Sequence, residues 1–289
     1  MLRRMDSITP HGWLDSETLW VEHVSPLVAG GPSDRNWLLD LFAQLPIERQ
    51  GHWLSLGCGA GAQEIWAAHR GLFSAVDGFD ESAEAIETAR AAAAAEGLGP
   101  VRFEAAELET LELGGQRYDG ALAAMALFRV RDLDRLLGEV ARSLRPGGWF
   151  LVNEYVGPAQ FQYTDRQLEI VDELLALLPE RLRYDAARQA PKHFYLRRPK
   201  VFWDETAPRE AISSEEVPAA LERHFDILER RDYGGTILAP LLEDVVGNFS
   251  TEREDDLAIL RLLAYFERRL LREGVLPSDF AVFAARKSA

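Results

Sequence analysis

The stretch Leu54-Ser55-Leu56-Gly57-Cys58-Gly59-Ala60-Gly61-Ala62-Gln63-Glu64-Ile65 constrains this chain most. A short apolar run stops at three glycines at alternate positions, and an amphipathic segment follows. That pattern predicts a strand, a tight turn and the start of a helix. Glycines are needed where the backbone takes positive φ or approaches a ligand with no Cβ in the way. The helix start behind them offers unpaired N–H groups to a polar or anionic ligand. The competing reading is a plain glycine turn in an α/β protein, and the rest of the chain decides between the two.

Downstream the pattern alternates. Strands are predicted at residues 52–56, 73–79, 101–105, 118–124 and 149–153. Helices are predicted at 62–69, 81–96 and 133–144. Strands alternating with helical segments imply βαβ units and a parallel sheet. Ligand crevices of such sheets lie at the carboxyl ends of the strands. Ahead of this core, residues 34–45 read as a helix capped by Asp34, with Trp37, Leu38, Leu41, Phe42 and Leu45 as its stripe. Trp13 and Trp20 are spaced to share one helical face. After Gly157-Pro158 the pattern changes. A helix is predicted over 165–178, residues 180–212 read as irregular, and a serine-capped helix runs through Arg223. A strand over 225–233, helices near 237–246 and 255–273, and a last strand over 280–285 complete the chain. The expected organisation is an N-terminal helical segment (1–50) covering the ligand site, a core (51–155 and 213–289), and a cap inserted at 156–212.

Three further motifs fall at strand ends. In Val76-Asp77-Gly78-Phe79-Asp80-Glu81-Ser82, a carboxylate can accept hydrogen bonds from two vicinal ribose hydroxyls. Asp80 is best placed, because it ends the apolar run, and Asp77 is its competitor. Glu107 and Leu108 follow the third strand, where an acid and an apolar side chain can hold and cover an adenine. Leu144-Arg145-Pro146-Gly147-Gly148 marks a helix end and a sharp turn before the fifth strand. A dinucleotide-binding fingerprint would carry its third glycine one residue after Gly61. This chain has Ala62 there, which argues against a nicotinamide-dependent oxidoreductase.

The order of these motifs resembles the class I S-adenosylmethionine (SAM)-dependent methyltransferases, of the small-molecule type 11 or UbiE-like sort. The resemblance is close over about residues 50–155, and 225–233 and 280–285 look like that fold's sixth and antiparallel seventh strands. It implies a Rossmann-like, seven-stranded, mostly parallel sheet with an antiparallel last strand, plus a helical cap. It implies that Gly57, Cys58, Gly59 and Gly61 cradle the methionine moiety of SAM, that Asp80 binds the ribose, and that Glu107 and Leu108 flank adenine. The backbone near Ala124 and Met125 would hold the methionine amino group. S-adenosylhomocysteine would be the product. Two departures stand out. Glu107 occupies a position where Asp is usual, and Phe128-Arg129 stands where many relatives carry histidines.

Methyl transfer from a sulfonium is an in-line displacement, so the protein mainly aligns the reactants and excludes water. A general base helps only when the acceptor must lose a proton. The candidates are Glu154, Tyr155, His11 and His193, with Glu154 and Tyr155 favoured because they follow the fifth strand. No metal is expected. The formal net charge of −15 argues against nucleic acid and favours a small-molecule acceptor. No apolar run reaches membrane-span length. The N-terminus lacks the apolar core of a signal peptide. The lone Cys58 fits a reducing compartment. A cytoplasmic monomer or homodimer is therefore expected. Residues 181–200 reverse the local charge with Arg181, Arg183, Arg188, Lys192, Arg197, Arg198 and Lys200 against Asp185. This run either pairs with the acidic body or receives an anionic acceptor. A rival of another class is a SAM-binding protein that does not methylate, a regulator or a cyclase-like relative.

Overall fold

The computed structural model describes residues 12–29 and 37–287. A seven-stranded sheet forms its centre, in the order β3-β2-β1-β4-β5-β9-β8. The strands are β1 (Gly51–Leu56), β2 (Phe73–Asp80), β3 (Val101–Ala105), β4 (Tyr118–Ala124), β5 (Leu144–Tyr155), β8 (Asp226–Gly234) and β9 (Phe280–Arg286). β1 to β5 pair in parallel, and β9 runs antiparallel to both β5 and β8. Two further short strands, β6 (Tyr184–Asp185) and β7 (Ala190–Pro191), form a separate hairpin. The sheet is therefore mostly parallel with an antiparallel last strand, as the motif order implied.

Strand side chains alternate between two cores, as the pleat requires. Along β5, Trp149 and Leu151 enter one apolar cluster while Phe150 and Val152 enter the other. β9 repeats this with Phe280, Val282 and Ala284 on one face and Ala281, Phe283 and Ala285 on the opposite one. Burial on both faces explains why these strands read as continuous apolar runs.

In chain order the helices are α1 (Glu17–Leu19), α2 (Ser25–Ala29), α3 (Trp37–Gln44), α4 (Ala62–His69), α5 (Ala83–Ala95) and α6 (Leu133–Ser143). They continue with α7 (Asp165–Leu177), α8 (Lys200–Thr206), α9 (Val217–His224), α10 (Leu238–Leu242) and α11 (Glu254–Arg272). Caps follow the sequence. Ser82 caps α5 by accepting from Ala85 N, and Thr164 with Gln167 forms a capping box on α7.

Three expectations are corrected. Trp13 and Trp20 do not share a helix face. Trp13 sits in a 3-10 turn, Gly12–Asp15, and Ser16 caps a new helix after it. Trp13 is buried against Tyr233 and Phe280, with ring centroids 6.3 and 5.6 Å away. The turn at Gly12–Asp15 thus packs on the β8/β9 side, while Phe42 of α3 packs 5.2 and 5.9 Å from the rings of Trp53 in β1 and Phe73 in β2. Arg231 of β8 ties α3 down by donating to Asp40 Oδ2 at 2.6 Å and Gln44 Oε1 at 2.8 Å. Asp34 lies outside the described residues. Residues 180–212 are not irregular throughout, because they hold the β6/β7 hairpin and α8. Finally, the helix expected over 237–246 is only the single turn of α10, which Glu267 caps by accepting from Ile237 N and Leu238 N.

Candidate active site

The glycine motif folds as its composition requires. Gly57, Gly59 and Gly61 all take positive φ, at 65°, 52° and 72°. A Cβ on Gly57 would lie 2.4 Å from Ala126 Cβ, and one on Gly61 would lie 2.5 Å from the Phe103 ring. Those two glycines let neighbouring chain approach. Gly59 differs, since a Cβ there would meet nothing within 4 Å. Its bare backbone faces open space, as a ligand cradle would. Gly57 N and Cys58 N donate to Phe79 O, so the turn is stitched to the end of β2.

Asp80, at that same strand end, accepts from Gly59 N at 2.8 Å and from Ser82 N at 2.9 Å. It therefore couples the glycine turn to the start of α5. Asp77 is used elsewhere. His52 Nε2 lies 3.1 Å from its carboxylate, Tyr118 donates a hydrogen bond of 3.0 Å, and Arg117 pairs with it. These partners hold the Asp77 carboxyl below its usual range against the opposing effect of burial.

A cleft opens at the carboxyl ends of β1, β2 and β4. Gly57, Asp80, Leu108, Met125 and Ala126 line it, and Arg129 and Arg209 border it. Its free volume is about 80 Å³. Met125 takes φ 57°, so the chain turns sharply as it leaves β4. The described N-terminal residues contribute nothing to this lining. Ala124 is half-buried one residue before Met125 and opposite Asn153 of β5. Glu107 is exposed beside the cleft, where Arg209 Nη1 lies 3.0 Å from its carboxylate. Arg209 also pairs with Glu81. One guanidinium from the end of the cap thus bridges the segments that follow β2 and β3. Its neighbour Glu210 is held by Arg129, through hydrogen bonds of 3.1 and 3.2 Å.

The proposed bases fall elsewhere. Glu154 is fully buried. Its Oε1 accepts from Ala126 N and Leu127 N, both at 2.7 Å, and burial raises its pKa to about 7. The carboxylate braces the loop after β4 from behind and does not line the cleft. Tyr155 is also fully buried, donates to Pro158 O at 3.0 Å, and packs against Phe161 and Phe280. Burial pushes its hydroxyl pKa far up, so it is a packed residue and no proton acceptor. His193 is exposed on the cap, with Nδ1 2.9 Å from Arg183. His11 lies outside the described residues. The position rule failed because the Glu154 carboxylate is turned under the loop after β4, and the Tyr155 ring is packed among Phe128, Phe161 and Phe280.

Sequence reasoning missed two groups here. Glu64, on the first turn of α4, is buried beneath the glycine turn, and Ser55 donates to its Oε1 at 2.6 Å. Its Oε2 has no hydrogen-bond partner among the described residues, and burial raises its pKa to about 7. The Arg129–Glu210 and Arg209 clamp was also missed. Nothing in spacing relates residue 209 to residues 81 and 107. The basic run over 181–200 is largely consumed by pairing: Arg181 with Asp256, Arg188 with Asp185, Arg197 with Asp165 and Arg198 with Glu243. Lys192 donates to the carbonyls of Pro240 and Glu243, at 2.7 and 2.8 Å.

With this geometry in place, the chain can be set beside known proteins. Residues 54–148 match the family described as a methyltransferase domain. That match covers about a third of the chain and likens its glycine-turn half to a methyltransferase domain. The methyltransferase GfsG of Streptomyces halstedii is 31% identical over 117 residues, which is 40% of this chain and 42% of that protein. The chain spans about two fifths of the length of the first curated relatives it matches. Among solved structures, a SAM-dependent methyltransferase from Mesorhizobium loti superposes over 87% of this chain and 97% of its own, with TM-score 0.50 and 22% identity. The cyclase SpnF superposes over 97% and 98%, with TM-score 0.51 and 18% identity. The methyltransferase fold thus extends well beyond the matched domain. Among the described residues no helix is long and apolar enough to cross a membrane.

Proposed function

We propose that this protein transfers the methyl group of SAM to a small-molecule acceptor. One observation carries the reading: Gly57 at the head of the glycine turn, Asp80, Leu108, Met125 and Ala126 line a single cleft. The cofactor supplies an activated methyl on a sulfonium. In this reading Gly59 and its open surroundings admit the methionine moiety, with Cys58 and Gly61 completing the turn. Asp80 turns its carboxylate from Gly59 N and Ser82 N toward the ribose hydroxyls. Leu108 covers adenine, and Glu107 receives its amino group once released from Arg209. The backbone around Ala124 and Met125 takes the methionine amino group.

The cleft's 80 Å³ is well below the roughly 300–1,000 Å³ of ordinary ligand pockets, so it widens on binding. Arg209 is the bolt to be drawn, because it spans the cleft mouth from Glu81 to Glu107. The acceptor then enters between the cap (156–212) and the loop after β4, where Phe128 and Arg129 stand. No residue among Glu154, Tyr155 and His193 is placed to take a proton there. The reading is therefore alignment and water exclusion, with an acceptor that is already nucleophilic or loses its proton to solvent. The paired state of residues 181–200 supports the structural role for that run and gives an anionic acceptor no support.

Calorimetric titration with SAM, S-adenosylhomocysteine and NAD tests the cofactor. Heat with the first two and none with NAD is expected, and the opposite pattern would sink the reading. A second reading is SAM binding without methyl transfer, which the same cleft would serve and which the absence of a placed base among Glu154, Tyr155 and His193 leaves open to test. Transfer of labelled methyl from SAM into a metabolite extract supports methylation. Tight SAM binding with no labelled product would favour the second reading.

A further inference from the structure

The C-terminal end of α7 and the outer face of α11 leave apolar side chains in solvent. Leu177 is 80% exposed, Leu262 65%, Tyr265 53% and Phe266 39%. Between the two helices runs a groove of about 350 Å³, floored by Leu174 and Leu263. It shares no lining residue with the cofactor cleft. Single exposed leucines are ordinary, but a contiguous apolar patch on a chain this polar marks a contact surface. α11 already buries an inner stripe of Leu260, Leu263, Ala264 and Leu270. Leu262, Tyr265 and Phe266 form a second stripe that the described part of the chain does not cover.

The charge pattern of α11 says what kind of surface meets it. Its first turn is acidic, with Glu254, Asp255 and Asp256, and its last turn is basic, with Arg269 and Arg272. Asp255 and Arg269 lie about two turns before and after Leu262, on the same side of the helix. Turning α11 end for end about Leu262 therefore exchanges an acid for a base. We propose that this face joins two copies of the chain, with the α11 helices antiparallel across a two-fold axis at Leu262. In that arrangement Asp255 of each copy faces Arg269 of the other. Ile259 meets Tyr265, and the small Ala258 meets the large Phe266. Leu262 packs on its own symmetry mate, and Leu177 extends the patch over the groove. A closed two-fold contact needs a self-complementary surface of this kind. The charged ends are free to exchange partners. Asp255 now pairs with Arg253 at 3.1 Å and with Arg181 at 3.9 Å, its side chain 68% exposed, and Arg269 pairs with Glu273 on the same exposed helix face. Such solvated pairs hold each other only weakly. An anionic membrane surface is disfavoured by the chain's net charge of −15.

Sedimentation velocity of the full chain over a wide concentration range tests the inference. The wild type is expected to run at twice its 32.4 kDa mass. Leu262→Glu is expected to be monomeric with an unchanged melting temperature, since the side chain it replaces is exposed. Asp255→Arg and Arg269→Asp, each alone, should weaken the dimer on the order of tenfold, because each breaks two symmetric pairs. The double variant should regain most of that loss. A wild type that stays monomeric would overturn the proposal, whether or not it binds anionic vesicles. So would a dimer indifferent to Leu262→Glu, or a double variant no tighter than the single ones.

Discussion

Asp80 and Asp77 lie within one turn of sequence and on one strand, yet their surroundings give them different work. Asp80 spends its oxygens on two backbone N–H groups at the cleft, which a ligand can replace. Asp77 is locked into His52, Arg117 and Tyr118. Asp80→Ala is expected to weaken SAM binding by roughly 10- to 100-fold, two lost charge-assisted hydrogen bonds being worth a few kcal/mol. Asp77→Ala should leave binding nearly unchanged and lower the urea midpoint. Calorimetry and urea melts on both variants check this, and the reverse order would move the ribose ligand. Glu154 carries a second prediction. Its folded pKa of about 7 stands above its ordinary 4.5 because burial disfavours the charge. The folded state therefore holds the proton more tightly than the unfolded chain. Its contribution to stability is full below about pH 4.5 and is lost as pH rises through 7. At 1.36 kcal/mol per unit this amounts to roughly 3 kcal/mol. Glu154→Gln keeps an oxygen for Ala126 N and Leu127 N but cannot ionise. Its unfolding free energy should vary less between pH 4.5 and 7 than that of the wild type; parallel profiles would refute this.

At the scale of elements, the segment that ends the cap does more than connect. Residues 209 and 210 reach back to the post-β2, post-β3 and post-β4 segments through Arg209 and the Arg129–Glu210 pair. These bonds are partly solvated, so their removal costs little stability, about 1 kcal/mol or less each. Their removal should cost much more in control of the cleft. Arg209→Ala is expected to speed both entry and release of SAM in stopped-flow fluorescence while shifting the melting temperature by only a few degrees. Unchanged rates would dismiss Arg209 as a bolt. The elements themselves were readable in unequal degree. β1 and β2 announced themselves because each is a short apolar run, closed by Gly57 and by Asp80, and Ser82 caps the helix that follows β2. The β6/β7 hairpin did not, because a two-residue ladder leaves no periodicity to read. α10 stops short of residue 246 because the backbone leaves helical geometry at Glu243, with ψ 128°, and takes φ 66° at Asp244.

The whole molecule is held together by contacts that cross every boundary the sequence suggested. Arg231 joins the N-terminal helices to β8. In the cap, Gln167 donates to Asp279 at 2.9 Å, and buried Lys192 holds three carbonyls around the end of α10. Trp203 in the cap and Trp53 in the sheet are both fully buried. Cap and core are therefore expected to unfold together. Urea titrations of Trp203→Phe and Trp53→Phe, each followed by fluorescence and by far-ultraviolet circular dichroism, should give coincident transitions within each variant. A separate early step seen through Trp203 would show an independent cap. The sequence alone determined the parallel core, the glycine turn and the acid at the end of β2. Those features are local: periodicity, positive-φ glycines and an acid closing an apolar run act within a few residues. Only the tertiary structure decided which carboxylate reaches the cleft, that Glu154 is buried under the loop after β4 and Tyr155 among Phe128, Phe161 and Phe280, and that the basic run is neutralised. Those outcomes depend on partners a hundred residues or so away, such as Phe280 against Tyr155 and Arg209 against Glu107, and spacing along a chain carries no record of such distances.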